Sequence, residues 1–417
     1  MENRNLRYQD FLTLKVDTKH KHNNGEFLWE EVKTAGPHPS RRSYHSSVMW
    51  NHKMVISGGQ DLREGTQSGI WVFDFNSMDE EHWEELNIIG IGVFCRHSSV
   101  IYRDNLYIFG GTDGINEFDT TWIIDLNTLQ TRKLDPQTLG LPPPLDSHTA
   151  TLYEKDGLSQ MVVFGGFKYS ERTNDLYILN LSSLEWRKIS TNNGPEPRSN
   201  HSAVIYNDFL FIFGGLNGEG EQIGDFWKLN LNTYNWQSIQ AGGQIPAARS
   251  GHSAIVYSDL MVIFGGTKCV NRETNEMFSY SFENNMWVRF QDEQQVKDPV
   301  SAAQLEEFKH SETSPHRRHT LNIAIGPKKD GKKEASPTIE RFAMKKKLLY
   351  DGPPSPVKGR VKGNAPHQRD GHSAVIDGNI MYIFGGDRHQ MPFNDIYAYR
   401  LSKDIISRPG EIDLKTS

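Results

Sequence analysis

A pair of glycines recurs six times in this chain, each time in the same company, and that repetition limits the fold more than any other feature. The pairs are Gly58-Gly59, Gly110-Gly111, Gly165-Gly166, Gly214-Gly215, Gly265-Gly266 and Gly385-Gly386. Successive pairs are 52, 55, 49, 51 and 120 residues apart. The last interval spans two periods but holds one repeat, so about 70 residues are inserted there. A His-Ser or His-Thr step precedes each pair, at His45, His97, His148, His201, His252 and His372. An aromatic follows at one aligned place: Trp71, Trp122, Tyr177, Trp227, Phe278 and Tyr397. Trp83, Trp186, Trp236 and Trp287 close four of the units, and Arg132 stands near that place in the second. A period near 50 with four short β-rich segments is the signature of a propeller blade.

The fourth unit shows the local pattern. His201 to Tyr206 and Phe209 to Phe213 read as strands joined at Asn207-Asp208, and Asp225 to Leu231 and Trp236 to Ile239 as the next two. Apolar residues on both faces suit a sheet buried between neighbours. The sixth unit ends at Ile396 to Leu401 without a tryptophan strand, and Phe27 to Val32 at the N-terminus supplies a spare one around Trp29. Pairing the two would leave no open edge in the ring. The order arginine, histidine, Gly-Gly, aromatic, tryptophan resembles the kelch family over about residues 26 to 290 and 366 to 401. The resemblance implies this same closure, and hence an all-β, six-bladed kelch β-propeller closed by an N-terminal strand, with one long insertion between blades five and six.

The chain then divides into an extension at 1–25, blades one to five with the closing strand at 26–290, an insertion at 291–363, blade six at 364–401 and a tail at 402–417. The extension is too short for a BTB domain, and no stretch reads as a signal peptide or a membrane span. Cys95 and Cys269 lie in different repeats, which fits a reducing, cytoplasmic setting. In the third unit a longer first hairpin turn is expected at Glu154 to Gln160, and Leu141 to Leu145 reads as a stiff proline-rich loop. Residues 301–363 hold 14 Lys+Arg against 7 Asp+Glu, in a chain of net charge −6. The insertion has too little apolar surface to offset ordering entropy, so disorder is expected, with one helix-capable piece from Ser336.

Several patterns could carry chemistry. Six equivalent histidines could suggest a metal ring, but ligands spread around six blades do not converge on one ion. Some kelch propellers are enzymes: galactose oxidase uses copper, and plant specifier proteins use a Glu-x-x-x-Asp-x-x-x-His iron site. Glu171 and Asp175 match the first half of that site, but Leu179 stands where the histidine belongs. No nucleophile, phosphate or dinucleotide motif is present. No catalysis, metal, cofactor or small-molecule substrate is therefore expected.

Arg42, Arg198, Arg249 and Arg369 recur three residues before the histidine, while Phe94 and Leu145 hold that place in units two and three. They either bond blade to blade or line the ring's mouth, where a guanidinium clamps a partner's carboxylate or phosphate. The loops after each Gly-Gly pair open on the same face and vary in sequence, as recognition loops do. The insertion adds Arg317, Arg318, Lys345, Lys346 and Lys347 as basic contacts, and Ser314, Ser336 and Ser355, each before proline, as phosphorylation sites. Each phosphate would add about −1.5 to −2 charges and weaken binding to an acidic partner. The expected partner is a protein with an acidic surface, not a membrane; nucleic acid is disfavoured because few aromatics interleave the basic residues. The expected role is a non-enzymatic interaction module or assembly scaffold in a cytoskeletal or ciliary setting. Substrate recognition in a ubiquitin ligase is the alternative, and a propeller enzyme the third.

Overall fold

Six sheets follow one another along the computed structural model, four of them four-stranded and two five-stranded. The structure describes residues 29–76, 82–135, 140–269, 272–290 and 365–401, and the backbone of 360–362. Each blade is a four-stranded antiparallel meander, to which Gly242–Gly243 adds a parallel outer strand in blade five. In blade four the strands are Ser202–Tyr206, Phe209–Leu216, Gln222–Asn230 and Trp236–Ser238, in that order from the axis outward. The second and third strands run beyond the expected limits, past Gly214-Gly215, with a bulge between Phe213 and Gly215. The innermost strands stand beside one another in sequence, and that of blade six, Ser373–Asp377, stands beside Ser46–Trp50 of blade one. The ring is closed.

Packing between blades follows one rule. The outer-strand tryptophan of a blade rests on the phenylalanine before the Gly-Gly pair of the preceding blade. Trp186 meets Phe109 at 5.0 Å, Trp236 meets Phe164 at 5.0 Å and Trp287 meets Phe213 at 5.4 Å between ring centroids. Trp83 crosses the closure in the same way, onto Phe384 at 5.0 Å. The seam between blades one and two lacks both partners, having Ser57 and Arg132; there Phe94 is buried against His97 instead.

The N-terminal strand Trp29–Val32 pairs with Ile396–Arg400, Trp29 opposite Tyr399 and Val32 opposite Ile396. Trp29 also reaches Phe264 of blade five at 5.3 Å, so it fills the tryptophan place of blade six. Arg360–Lys362, inside the segment expected to lack strands, adds a fifth strand outside it. The third unit also differs from expectation. Its turn is the two residues Asp156-Gly157, and the extra length goes into the strands Thr149–Lys155 and Leu158–Phe164. Both turn residues have positive φ, the geometry that matches strand twist in a two-residue hairpin. Tyr153 and Lys155 on this extension bond Asp208 of blade four at 2.9 and 2.7 Å.

Candidate functional site

The Gly-Gly pairs turn out to be fasteners between blades. The second glycine donates its amide to the carbonyl of the arginine-position residue in the next blade: Gly59 to Phe94, Gly111 to Leu145, Gly166 to Arg198, Gly215 to Arg249, Gly266 to Arg369 and Gly386 to Arg42, all at 2.7–2.9 Å. A Cβ on Gly58 would lie 2.1 Å from the Phe94 carbonyl oxygen, so a side chain cannot fit there.

The side chains of the recurrent arginines brace their own blades. Arg198, Arg249 and Arg369 are 0 % exposed and Arg42 is 2 % exposed. Each Nη1 donates to the first glycine's carbonyl of its own blade, Gly58, Gly214, Gly265 or Gly385, at 2.7–3.0 Å. Arg198 and Arg369 also form two-pronged pairs with Asp225 and Asp395, and Arg249 pairs with Glu276. These guanidiniums therefore do not line the mouth and cannot clamp a partner; the expectation of partner-binding arginines at these four positions is corrected. Arg198→Met should leave a buried carbonyl unpaired and Asp225 without its cation, holding only the Trp227 Nε1 bond, and cost about 3 kcal/mol of stability. Chemical denaturation measures this, and a loss below about 1 kcal/mol would contradict the structural role.

At the axis the residues just before the histidines form a closed ring of amides. Arg96 donates to Tyr44, Ser147 to Arg96, Asn200 to Ser147, Gly251 to Asn200, Gly371 to Gly251 and Tyr44 to Gly371, at 2.7–2.9 Å. All six are left-handed, φ between 53° and 64°, although only two are glycine. Around it runs a ring of side chains. The Nε2 atoms of His148, His201, His252, His372 and His45 are hydrogen-bonded at 2.6–2.9 Å to Ser98, Thr149, Ser202, Ser253 and Ser373 of the preceding blade. His97 uses Ser57 instead. Each imidazole Nε2 is thus spent between blades. These two rings bound a pit of about 130 Å³ at the axis.

The loops after the Gly-Gly pairs stand around this pit and bond one another. Thr66 Oγ1 donates to the Asp113 carbonyl at 2.8 Å, Tyr169 N to Glu117 at 3.1 Å, Gln222 to the Cys269 carbonyl at 3.3 Å and His389 N to Glu273 at 3.0 Å. Short hairpins stiffen the loops of blades one, three and six. The mouth they enclose carries carboxylates, Asp146 and Glu273 buried and Asp370 and Asp387 half-buried. Burial, then the neighbouring Asp387 and Glu273, pushes Asp370 up to about 6 against a hydrogen bond from Tyr44. Burial raises Asp387 and Asp146 as well.

The iron-site remnant does not assemble. Asp175 pairs with Lys168 and Lys188, and Leu179 is buried in the core. Cys95 is buried and Cys269 exposed, both as free thiols. Arg317, Arg318, Lys345, Lys346, Lys347, Ser314, Ser336 and Ser355 lie outside the described residues, as does the helix-capable piece from Ser336.

A family model described as the KLHDC2/KLHL20/DRC7 Kelch-repeats domain matches residues 1–130 and 96–311, and a Kelch-motif model matches 368–405. The chain belongs to the kelch-repeat family. It is similar to Kelch domain-containing protein 3 of Bos taurus, 28% identical over 281 residues, 62% of this chain and 72% of that protein. It is also similar to the Host cell factor homolog hcf-1 of Caenorhabditis elegans, 27% identical over 298 residues, 60% of this chain and 37% of the relative. Kelch domain-containing protein 10 of Homo sapiens is 28% identical over 262 residues, 60% of this chain and 58% of its own length. Kelch propellers are generally non-enzymatic modules that bind other proteins. The mouth carboxylates of this kelch propeller were missed from sequence because they come from different repeats. Asp146 and Asp370 fill a place that holds serine or cysteine elsewhere, and a place-by-place comparison of the repeats would have exposed them.

Proposed function

We propose that this kelch propeller is a non-enzymatic, cytoplasmic scaffold that binds a protein partner across its loop face, in a cytoskeletal or ciliary assembly. The basic segment 291–363 would supply a second contact, to an acidic part of the assembly. The observation that carries this reading is the rim. Six variable loops stand on one face, tied to their neighbours by hydrogen bonds, around a closed axial ring that holds them in place. A rigid frame under variable loops loses little entropy on binding, which suits recognition. The basic charge of the segment favours the cytoskeletal setting over the ligase one, because filament surfaces are commonly acidic.

Site-specific photo-crosslinking tests the face. A crosslinker in place of Tyr169, on the rim, should capture the same protein partner in cells as one in place of Leu62. A crosslinker at Asp156, in the hairpin turn on the opposite face, should capture none of it. Capture from Asp156 alone would overturn the loop-face reading. Replacing 294–357 with a short Gly/Ser linker should keep rim capture but flatten the salt dependence of binding.

A further inference from the structure

The arginines expected at the mouth are withdrawn into the blades, and carboxylates stand there instead. Glu273 of blade five and Asp370 and Asp387 of blade six each bring one oxygen within 4.8 Å of the others. Asp61 adds a further negative charge felt at Asp387. Like charges this close disfavour one another unless a cation sits among them. Hydrogen-bond donors are already present: Tyr44 Oη to Asp370 at 2.8 Å, Gln390 N to Asp387 at 2.7 Å and His389 N to Glu273 Oε1 at 3.0 Å. The other oxygen of Glu273, Oε2, accepts no hydrogen bond, although Glu273 is only 8 % exposed. The base that faces it is His389, whose Nδ1 lies 3.2 Å away on a half-exposed imidazole. Four of the nearby full cations are committed elsewhere. Arg96 lies over the Tyr44 ring, Lys268 and Arg289 pair with Glu276, and Arg369 pairs with Asp395. Among the described residues no ion pair joins Arg388 to the three carboxylates. A buried carboxylate oxygen without a hydrogen-bond donor, beside two more carboxylates at the edge of an open mouth, fits an incoming cation.

A second feature lies along the rim from the same place. Met391, Leu62, Ile115 and Tyr169 sit at or beside the loop tips of blades six, one, two and three, and are 51, 60, 91 and 69 % exposed. They follow one another around one side of the mouth, and the carboxylates lie at the blade-six end of their arc. The loops of blades one to three are held to one another by hydrogen bonds, so these side chains are presented in fixed order.

We propose that the mouth takes an extended segment of a protein partner, which places a lysine or arginine side chain among Glu273, Asp370 and Asp387 and lays neighbouring apolar side chains along Met391, Leu62, Ile115 and Tyr169. This rests on the loop-face reading and deepens it: the mouth selects a basic, apolar-flanked segment. A bare divalent ion would use the carboxylates but leave the apolar arc without a role. Charge sets specificity here, because an acidic residue at the same place would meet three carboxylates.

The test is a selection of short random peptides on the full-length protein. Enriched peptides should share a lysine or arginine with large apolar neighbours. Changing that residue to glutamine should weaken binding about tenfold or more, and so should Asp370→Asn combined with Asp387→Asn. Tyr169→Ser, at an exposed tip that cannot disturb the blades, should also weaken it severalfold. Enrichment of acidic peptides, no enrichment, or binding that ignores both the carboxylate pair and Tyr169 overturns the proposal. So does displacement of the peptide by calcium, magnesium or zinc through the same carboxylates, which would mark a metal site. Rim crosslinks that persist in the Asp370→Asn, Asp387→Asn protein would then keep the loop-face reading while this one fails.

Discussion

Lowering the pH from about 7.5 to about 5 is expected to unfold the propeller cooperatively, through its six inner histidines. They are only 5–7 % exposed, and each has Nε2 tied to a hydroxyl between two blades. Burial holds His97, His148 and His372 down at about 3 and His45, His201 and His252 well below 6.5. Well above pH 6.5 these groups are neutral in both states and contribute no pH dependence. Below it the unfolded chain binds protons that the folded one refuses, so stability falls until the folded pKa values are reached. At pH 5 each of His97, His148 and His372 removes about 2 kcal/mol and the three together about 6 kcal/mol, and His45, His201 and His252 act in the same direction. That already falls within the whole stability of an ordinary domain, about 5–15 kcal/mol. Asp370, raised to about 6, works in the opposite direction. It returns only about 1 kcal/mol over the same range, so the histidines decide the sign. Intrinsic fluorescence of the buried tryptophans and circular dichroism, followed against pH, should show one transition with a midpoint near pH 5. A propeller that stays folded to pH 4 would mean that the imidazoles find protons without leaving their sites.

The same histidines mark how far the sequence could be read. Their spacing to Gly-Gly announced the blades, the ring and even the closure, because those depend on patterns that repeat. The roles of Arg198 and Arg369 did not follow from spacing alone. An arginine beside a loop has the same sequence signature whether it faces solvent or turns inward to Gly214 or Gly385. Burial decides between them, and burial depends on Asp225 and Asp395, 27 and 26 residues further along. The left-handed ring at the axis was hidden for a related reason. Tyr44, Arg96 and Ser147 are not residues that announce positive φ, and the closed hydrogen-bond circuit holds them there. The acidic mouth is a property of the differences between repeats rather than of the repeat, so a reading built on what recurs passes over it.

Removing residues 1 to 34 should break the ring at blade six. Trp29–Val32 pairs along its length with Ile396–Arg400, and Trp29 packs on Tyr399 at 4.7 Å and on Phe264 across the seam at 5.3 Å. Trp29 and Val32 are both buried. Losing those two side chains costs about 5 kcal/mol in burial and packing. The truncation also uncovers the unpaired edge of Ile396–Arg400, an apolar strand that can pair with another copy. Insolubility or a melting temperature lower by about 10 °C or more is expected. Trp29→Ala separates the two effects, because it keeps the strand and its hydrogen bonds while removing the ring contacts. It should lower stability by about 3–4 kcal/mol without promoting aggregation. A synthetic peptide covering residues 26 to 36, added to the truncated protein, should restore solubility by refilling the edge. Arg360–Lys362 cannot take over, because it pairs with the outer side of the N-terminal strand and not with blade six itself. If the truncated protein melts with the full chain and stays monomeric, the ring is held by its inner hydrogen-bonded circuits alone, and the N-terminal strand is a cover rather than a clasp.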